Sequence, residues 1–140
     1  MDKKTLKGGE FLIKESSFQD IFIPEEFNEE QKMMAETTRD FVKTQILPKI
    51  DDLDKHDREL LSKMLKDAGE MGLLGVSVPE EYEGYGQNTV TSMRVAEEMG
   101  AGFSFVVAFS AHTGIGTQPI LYYGNEEQKM KYLPQLCTGE

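Results

Sequence analysis

From position 99 to 125 the chain runs for 27 residues without an aspartate, glutamate, lysine or arginine. Elsewhere charge is dense, since these four types make up 29% of the 140 residues. A gap of that length marks a segment expected to be withdrawn from water, because charged side chains are the ones least often buried. Its centre reads Phe103-Ser104-Phe105-Val106-Val107-Ala108-Phe109-Ser110-Ala111-His112. A membrane span needs about 20 mainly apolar residues, whereas this run is interrupted by Ser104, Ser110, His112, Gly114, Gly116, Gln118 and Pro119. It therefore reads as a helix buried on most sides, the centre of an all-α domain. Small residues at Ser110, Ala111, Gly114 and Gly116 would let another backbone or a ligand approach it closely.

The flanking sequence supplies helices to surround such a centre. Asn28-Glu29-Glu30-Gln31 offers a capping side chain with a glutamine three residues on, the reciprocal pairing that satisfies orphan amides at a helix start. Met34, Thr38, Phe41, Val42 and Ile46 follow at helical spacing, so a first helix is expected over 29–47, ended by Pro48. A second begins after Asp57, buries Leu60, Leu61, Met64, Leu65, Ala68 and Met71, and stops at Gly72 in a left-handed conformation. The stretch 73–86 is too short and too rich in turn formers for a helix and reads as an extended loop. Asn88 or Thr89 caps a third helix carrying Val90, Met93, Ala96 and Met99, and Asn125-Glu126-Glu127-Gln128 opens a last one. The six residues Asn-Glu-Glu-Gln-Lys-Met occur at both 28–33 and 125–130, but their flanks differ, so two starts with one capping need explain them better than a repeat. The methionines on these faces read as core filler. Residues 1–27 lack a sustained helical period and read as an arm or lead.

Composition narrows the function. Twenty-five acids against fifteen bases give a net charge of -10, which argues against nucleic-acid binding through a broad basic face. Cys137 stands alone, so an internal disulfide is excluded and a free reduced thiol is expected. The start Met1-Asp2-Lys3-Lys4 has neither a long apolar run nor an Arg-rich, acid-poor character, and the expected location is the cytoplasm.

The residues offer no catalytic constellation. Gly84-Tyr85-Gly86 and Gly114-Ile115-Gly116 lack the third glycine and the strand of a dinucleotide-binding turn. A di-metal bundle needs Glu-x-x-His, and Leu53 and Phe109 stand three before His56 and His112. His112 reads as a core histidine hydrogen-bonded to backbone or hydroxyl, His56 as solvated, and the paired glutamates as helix starts and solvated faces. No catalytic, metal-binding or cofactor-binding residue is nominated.

The run Ala111-His112-Thr113-Gly114-Ile115-Gly116-Thr117-Gln118-Pro119-Ile120, with Tyr123-Gly124-Asn125-Glu126-Glu127-Gln128-Lys129, Lys131-Tyr132-Leu133-Pro134 and Thr138-Gly139-Glu140, resembles the N-terminal helical domain of acyl-CoA dehydrogenases. Gly72-Leu73-Leu74-Gly75-Val76-Ser77-Val78-Pro79-Glu80-Glu81-Tyr82 is similar to that family's loop before its third helix, and 27–31 to its approach to the first. The likeness covers 27–140 and, with the extra lead, is most like the very-long-chain branch. One departure is plain: the family commonly places Gly-Gly after the loop tyrosine, and here Glu83 takes the first place.

The resemblance implies an all-α, up-and-down multi-helical bundle around a buried central helix, with a lead over 1–27 and the helical domain over 28–140. It implies the first part of a flavoenzyme that removes the α-proton and β-hydride of a fatty acyl-CoA, reduces FAD and passes electrons to an electron-transferring flavoprotein. In that family the flavin-binding β domain and the helical domain carrying the base follow the point where this chain ends. The segment is therefore expected to be inactive alone and not to hold FAD stably, while the full-length enzyme is expected to be a homo-oligomer. Matching the motif places Val107, Ser110 and Ala111 on the wall of the acyl pocket. The alternative from another class is a stand-alone helical interaction module presenting an apolar face to a partner.

Overall fold

A computed structural model describes residues 5–140. Among the described residues there are helices and turns but no strand, and the helices follow in the order α1 (Glu10–Ile13), α2 (Glu29–Phe41), α3 (Ile50–Asp54), α4 (Arg58–Glu70), α5 (Thr89–Met99), α6 (Ser104–Ser110), α7 (Thr117–Tyr123) and α8 (Glu126–Thr138). The fold is an all-α bundle.

The longer helices begin where a side chain takes over amides that have no partner within the helix. Asn28 Oδ1 accepts from the Gln31 amide at 2.8 Å while Gln31 Oε1 accepts from the Asn28 amide at 3.0 Å. Asn125 and Gln128 repeat the arrangement at 2.9 Å in both directions, and the two asparagines share φ -73° and ψ 170°. The repeated hexapeptide is thus one local solution used twice. Asp57 caps α4 through the Leu60 amide (3.0 Å) and Asn88 caps α5 through the Thr91 amide (3.1 Å). Gly72 takes φ 78° after α4, and Gly139 takes φ 77° after α8. The last helix therefore ends in a glycine stop. A Cβ at Gly139 would lie 3.0 Å from Lys66 Cα, so the stop also packs against α4.

Two helices widen before they end. Val42–Ile46 and Ala111–Gly116 take the i to i+5 spacing of a π-turn, and each lies just ahead of a proline, Pro48 and Pro119. A proline ring crowds the carbonyl four residues back and offers no N–H to it, so a wider turn relieves the clash at Thr44 and Ile115. Pro134 sits inside α8 without such a turn, so proline permits the widening without enforcing it.

The core forms where α2, α4, α5, α6 and the loop after α4 meet. Phe41, Val42, Ile46, Met64, Val95, Met99, Phe105 and Phe109 are buried together with Leu73, Leu74 and Val76 of that loop. Phe105 stands between Phe41 and Phe109, with ring centroids 6.1 and 6.4 Å away. Val78, Tyr82, Leu133 and Cys137 close a second cluster beneath α8.

The charge-free segment departs from the sequence expectation. Only one side of α6 is buried, through Phe105 and Phe109, while Val107 is 69% exposed and Ile115, Tyr122 and Tyr123 face solvent. The absence of charge marks an uncharged surface as much as an interior. Met64 and Met99 are core, whereas Met33, Met71 and Met93 are exposed and do not act as filler. Among the described residues no helix is long and apolar enough to cross a membrane.

Candidate functional site

A cavity of about 220 Å³ opens between the loop after α4, one face of α5 and the α6 to α7 helix. Leu73, Leu74, Val95 and Phe109 give it an apolar floor, and Ser77, Ser110 and Gln118 border it. No charged side chain lines it. Helix periodicity explains the arrangement: Phe109 points to the core, and Ser110, one residue on and about 100° round the axis, reaches the cavity wall.

The wide turn sets the far side. Thr113 Oγ1 donates to the Phe109 carbonyl at 2.9 Å, and Thr117 Oγ1 donates to the His112 carbonyl at 2.7 Å, the oxygen five residues back. His112 Nε2 lies 2.7 Å from the Leu136 carbonyl. A carbonyl only accepts, so Nε2 carries the proton and ties α8 to the turn. The backbone hydrogen bond is the one expected from sequence, but His112 is half-buried and lies outside the core. Gln118 Nε2 donates to Ser77 Oγ at 3.4 Å across the cavity mouth. Sequence reasoning missed Ser77 and Gln118, because nothing in their local pattern shows that residues 41 apart meet.

The three residues expected at the pocket wall separate. Ser110 lines the cavity, whereas Val107 and Ala111, four residues apart on the opposite side of the helix from Phe105 and Phe109, face outward. In this chain only one of the three meets the cavity.

Behind the cavity the loop is closed on itself by backbone hydrogen bonds. Tyr85 N donates to the Gly75 carbonyl at 3.0 Å, Gln87 N to Val76 at 2.8 Å and Gly86 N to Val78 at 2.8 Å. Tyr82 donates its hydroxyl to Glu126 Oε1 at 2.9 Å, and that carboxylate raises the phenol to about 12. Glu83, where the resembling family commonly carries glycine, stands at φ 65° and ψ 20°, a left-handed conformation that a side chain makes costly. Gly84 is fixed by space: a Cβ there would lie 2.0 Å from the Val78 carbonyl oxygen. Cys137 is buried against this loop, and burial, followed by the Glu83 charge, pushes its thiol to about 11. It is no nucleophile at neutral pH.

With this geometry in hand, comparison with known proteins is decisive, since a family model described as the N-terminal domain of acyl-CoA dehydrogenase matches residues 28–140. The chain belongs to the acyl-CoA dehydrogenase family. A probable acyl-CoA dehydrogenase of Bacillus subtilis is 46% identical over 134 residues, covering 96% of this chain and 23% of the relative. A second Bacillus subtilis protein, an acyl-CoA dehydrogenase, is 42% identical over 113 residues, covering 80% of this chain and 30% of the relative. A crystal structure of an acyl-CoA dehydrogenase complexed with FAD from Bacillus anthracis superposes with a TM-score of 0.90 at 47% identity, covering 95% of this chain and 23% of that one. The chain thus spans only 23% to 30% of the length of those relatives. Since 134 residues are 23% of the first relative and 113 are 30% of the second, the first is roughly half as long again.

Proposed function

We propose that this chain is the N-terminal helical part of a flavin-dependent acyl-CoA dehydrogenase that desaturates fatty acyl-CoA thioesters between the α and β carbons. The observation that carries the reading is the uncharged cavity between α5, α6 and the loop after α4, in a chain of that family. An acyl chain is recognised by apolar walls with few polar groups, and the lining has that character. Ser110 borders the acyl chain directly, while Val107 and Ala111 form the outward face of the same helix, against which the rest of the enzyme would complete the tunnel. The extra lead supports assignment to the very-long-chain branch, with a division into a lead over 1–27 and a helical domain over 28–140.

The flavin does not fit these residues. FAD carries two phosphates and is far larger than a cavity of about 220 Å³, and the cavity has no cation to meet them. When bound elsewhere in the full-length enzyme, FAD supplies the hydride acceptor. What this chain contributes is a dry apolar wall that orients the thioester's tail and excludes water. The catalytic base, a carboxylate in the family, falls in the part beyond these residues. Electrons then pass to an electron-transferring flavoprotein, and a homo-oligomeric assembly and a cytoplasmic location complete the reading. The sole cysteine, buried as a thiol, supports the location.

The test is anaerobic titration of the full-length, flavin-loaded protein with long-chain acyl-CoA. Bleaching of the flavin absorbance with release of the enoyl-CoA is expected. No bleaching with any chain length would overturn the reading.

A further inference from the structure

The lead folds back on itself and leaves several large apolar side chains exposed to water. Leu6 N donates to the Asp20 carbonyl at 2.8 Å, closing residues 6–20 into a compact loop around α1. At its base Phe22 and Phe27 pack ring to ring at 5.4 Å, and the Arg94 guanidinium of α5 stacks over Phe27 at 5.5 Å. Within the loop Phe11, Leu12 and Ile13 of α1, and Phe18 near the closure, are 55%, 75%, 83% and 82% exposed. Scattered apolar residues on a surface need no explanation, but four within eight positions of one anchored loop do.

The relatives indicate the occupant. A match over 134 residues must include most of the lead, and it belongs to the relative that is roughly half as long again. The FAD-complexed Bacillus anthracis chain, also matched along 95% of this one, is proportionately as long. The shorter Bacillus subtilis relative matches over 113 residues, the length of the 28–140 domain alone. Among these relatives a match that must extend into the lead thus goes with extra length, and that length greatly exceeds the lead itself.

We infer that the 6–20 loop of the lead, through Phe11, Leu12, Ile13 and Phe18, is a docking element for the additional segment that distinguishes the longer members of the family, carried in cis by the full-length protein. This rests on family membership and on the full-length reading above. The anchored base holds the loop in one place, so the additional segment meets exposed apolar side chains on a folded loop instead of ordering a loose tail. Charge favours a protein surface over an anionic bilayer, because residues 5–27 carry five acids and two bases.

The experiment places the photo-crosslinker p-benzoylphenylalanine at Leu12 in the full-length, flavin-loaded protein and maps the products by mass spectrometry. It is paired with hydrogen exchange on Leu12→Asp/Phe18→Asp. The expected result is cross-linking to the additional segment and at least fivefold faster exchange there in the double variant, with flavin bleaching by acyl-CoA retained. Cross-links confined to 28–140 or to a second copy, unchanged exchange, or sedimentation with phosphatidylglycerol vesicles that depends on Leu12 and Phe18 would each overturn it. So would a full-length protein no longer than the short relatives. Flavin bleaching is read separately, so its loss in the unsubstituted protein would count against the proposed activity and not against docking.

Discussion

Arg39 reaches from α2 to Glu98 on α5 with both arms of its guanidinium, Nε at 2.9 Å and Nη2 at 2.6 Å from the two carboxylate oxygens. Arg94 adds a third contact to Glu98 at 2.7 Å and stacks over Phe27, so one carboxylate joins α2, α5 and the base of the lead.

That arrangement gives a pH dependence of stability. The hydrogen bond from Arg39, the larger cause, and the nearby charges hold Glu98 below the usual carboxylate range. A depressed acid stabilises the fold above its unfolded value, and the contribution is lost as pH falls through the folded one. Glu98→Gln is therefore expected to lower the urea midpoint at pH 7, with the difference from the unsubstituted protein closing below the ordinary glutamate range. A difference that stays constant down to pH 3 would mean that the carboxylate charge is not what joins the helices.

Glu83 and its neighbour Gly84 carry opposite expectations. Glu83 sits left-handed at φ 65°, where replacing a side chain by glycine recovers about 0.5–1 kcal/mol after the added chain entropy is subtracted. Glu83→Gly should thus raise the melting temperature by a few degrees. Gly84→Ala would put a Cβ 2.0 Å from the Val78 carbonyl oxygen and should cost about 2 kcal/mol or more, since backbone cannot yield as a side chain does. Paired thermal melts check both.

Cys137 offers a probe of the same loop. Its thiol, raised to about 11 chiefly by burial and donating weakly to the Tyr82 carbonyl at 3.9 Å, should resist alkylation at pH 8 in the folded protein. Because it is the sole cysteine, labelling should track the opening of the 75–87 loop from α8. Rapid stoichiometric labelling under native conditions would contradict the burial.

How far the sequence reveals this architecture depends on whether the determining interactions are local. The starts at Asn28, Asp57, Asn88 and Asn125 were legible because a cap is decided within four residues. The short α3 and the wide turns were not, since they depend on how Pro48 and Pro119 are accommodated within the fold. At the site, Ser110 was reached through family resemblance, but its separation from Val107 and Ala111 was hidden because the charge-free segment looks buried on every side. Lack of charge does not distinguish a face that meets this chain's own core from one that remains uncovered. Ser77 and Gln118 lay beyond sequence reasoning for a different reason, as their meeting depends on how the loop folds back.

That separation sharpens the test of the acyl pocket. Ser110 borders the cavity of about 220 Å³, so Ser110→Phe in the full-length enzyme would fill much of it. Long-chain turnover is expected to fall at least tenfold, while short-chain turnover changes less than twofold, because only the long tail needs the occupied volume. Ala111 faces outward, and Ala111→Glu acts on the wall completed by the rest of the enzyme, where an unpaired carboxylate would be buried. It too should penalise long chains more than short. If both substitutions lowered long-chain and short-chain turnover by the same factor, this helix would not line the tunnel. If Ser110→Phe alone discriminated, the acyl chain would run through the cavity between α5 and α6 and not along the Val107 and Ala111 face.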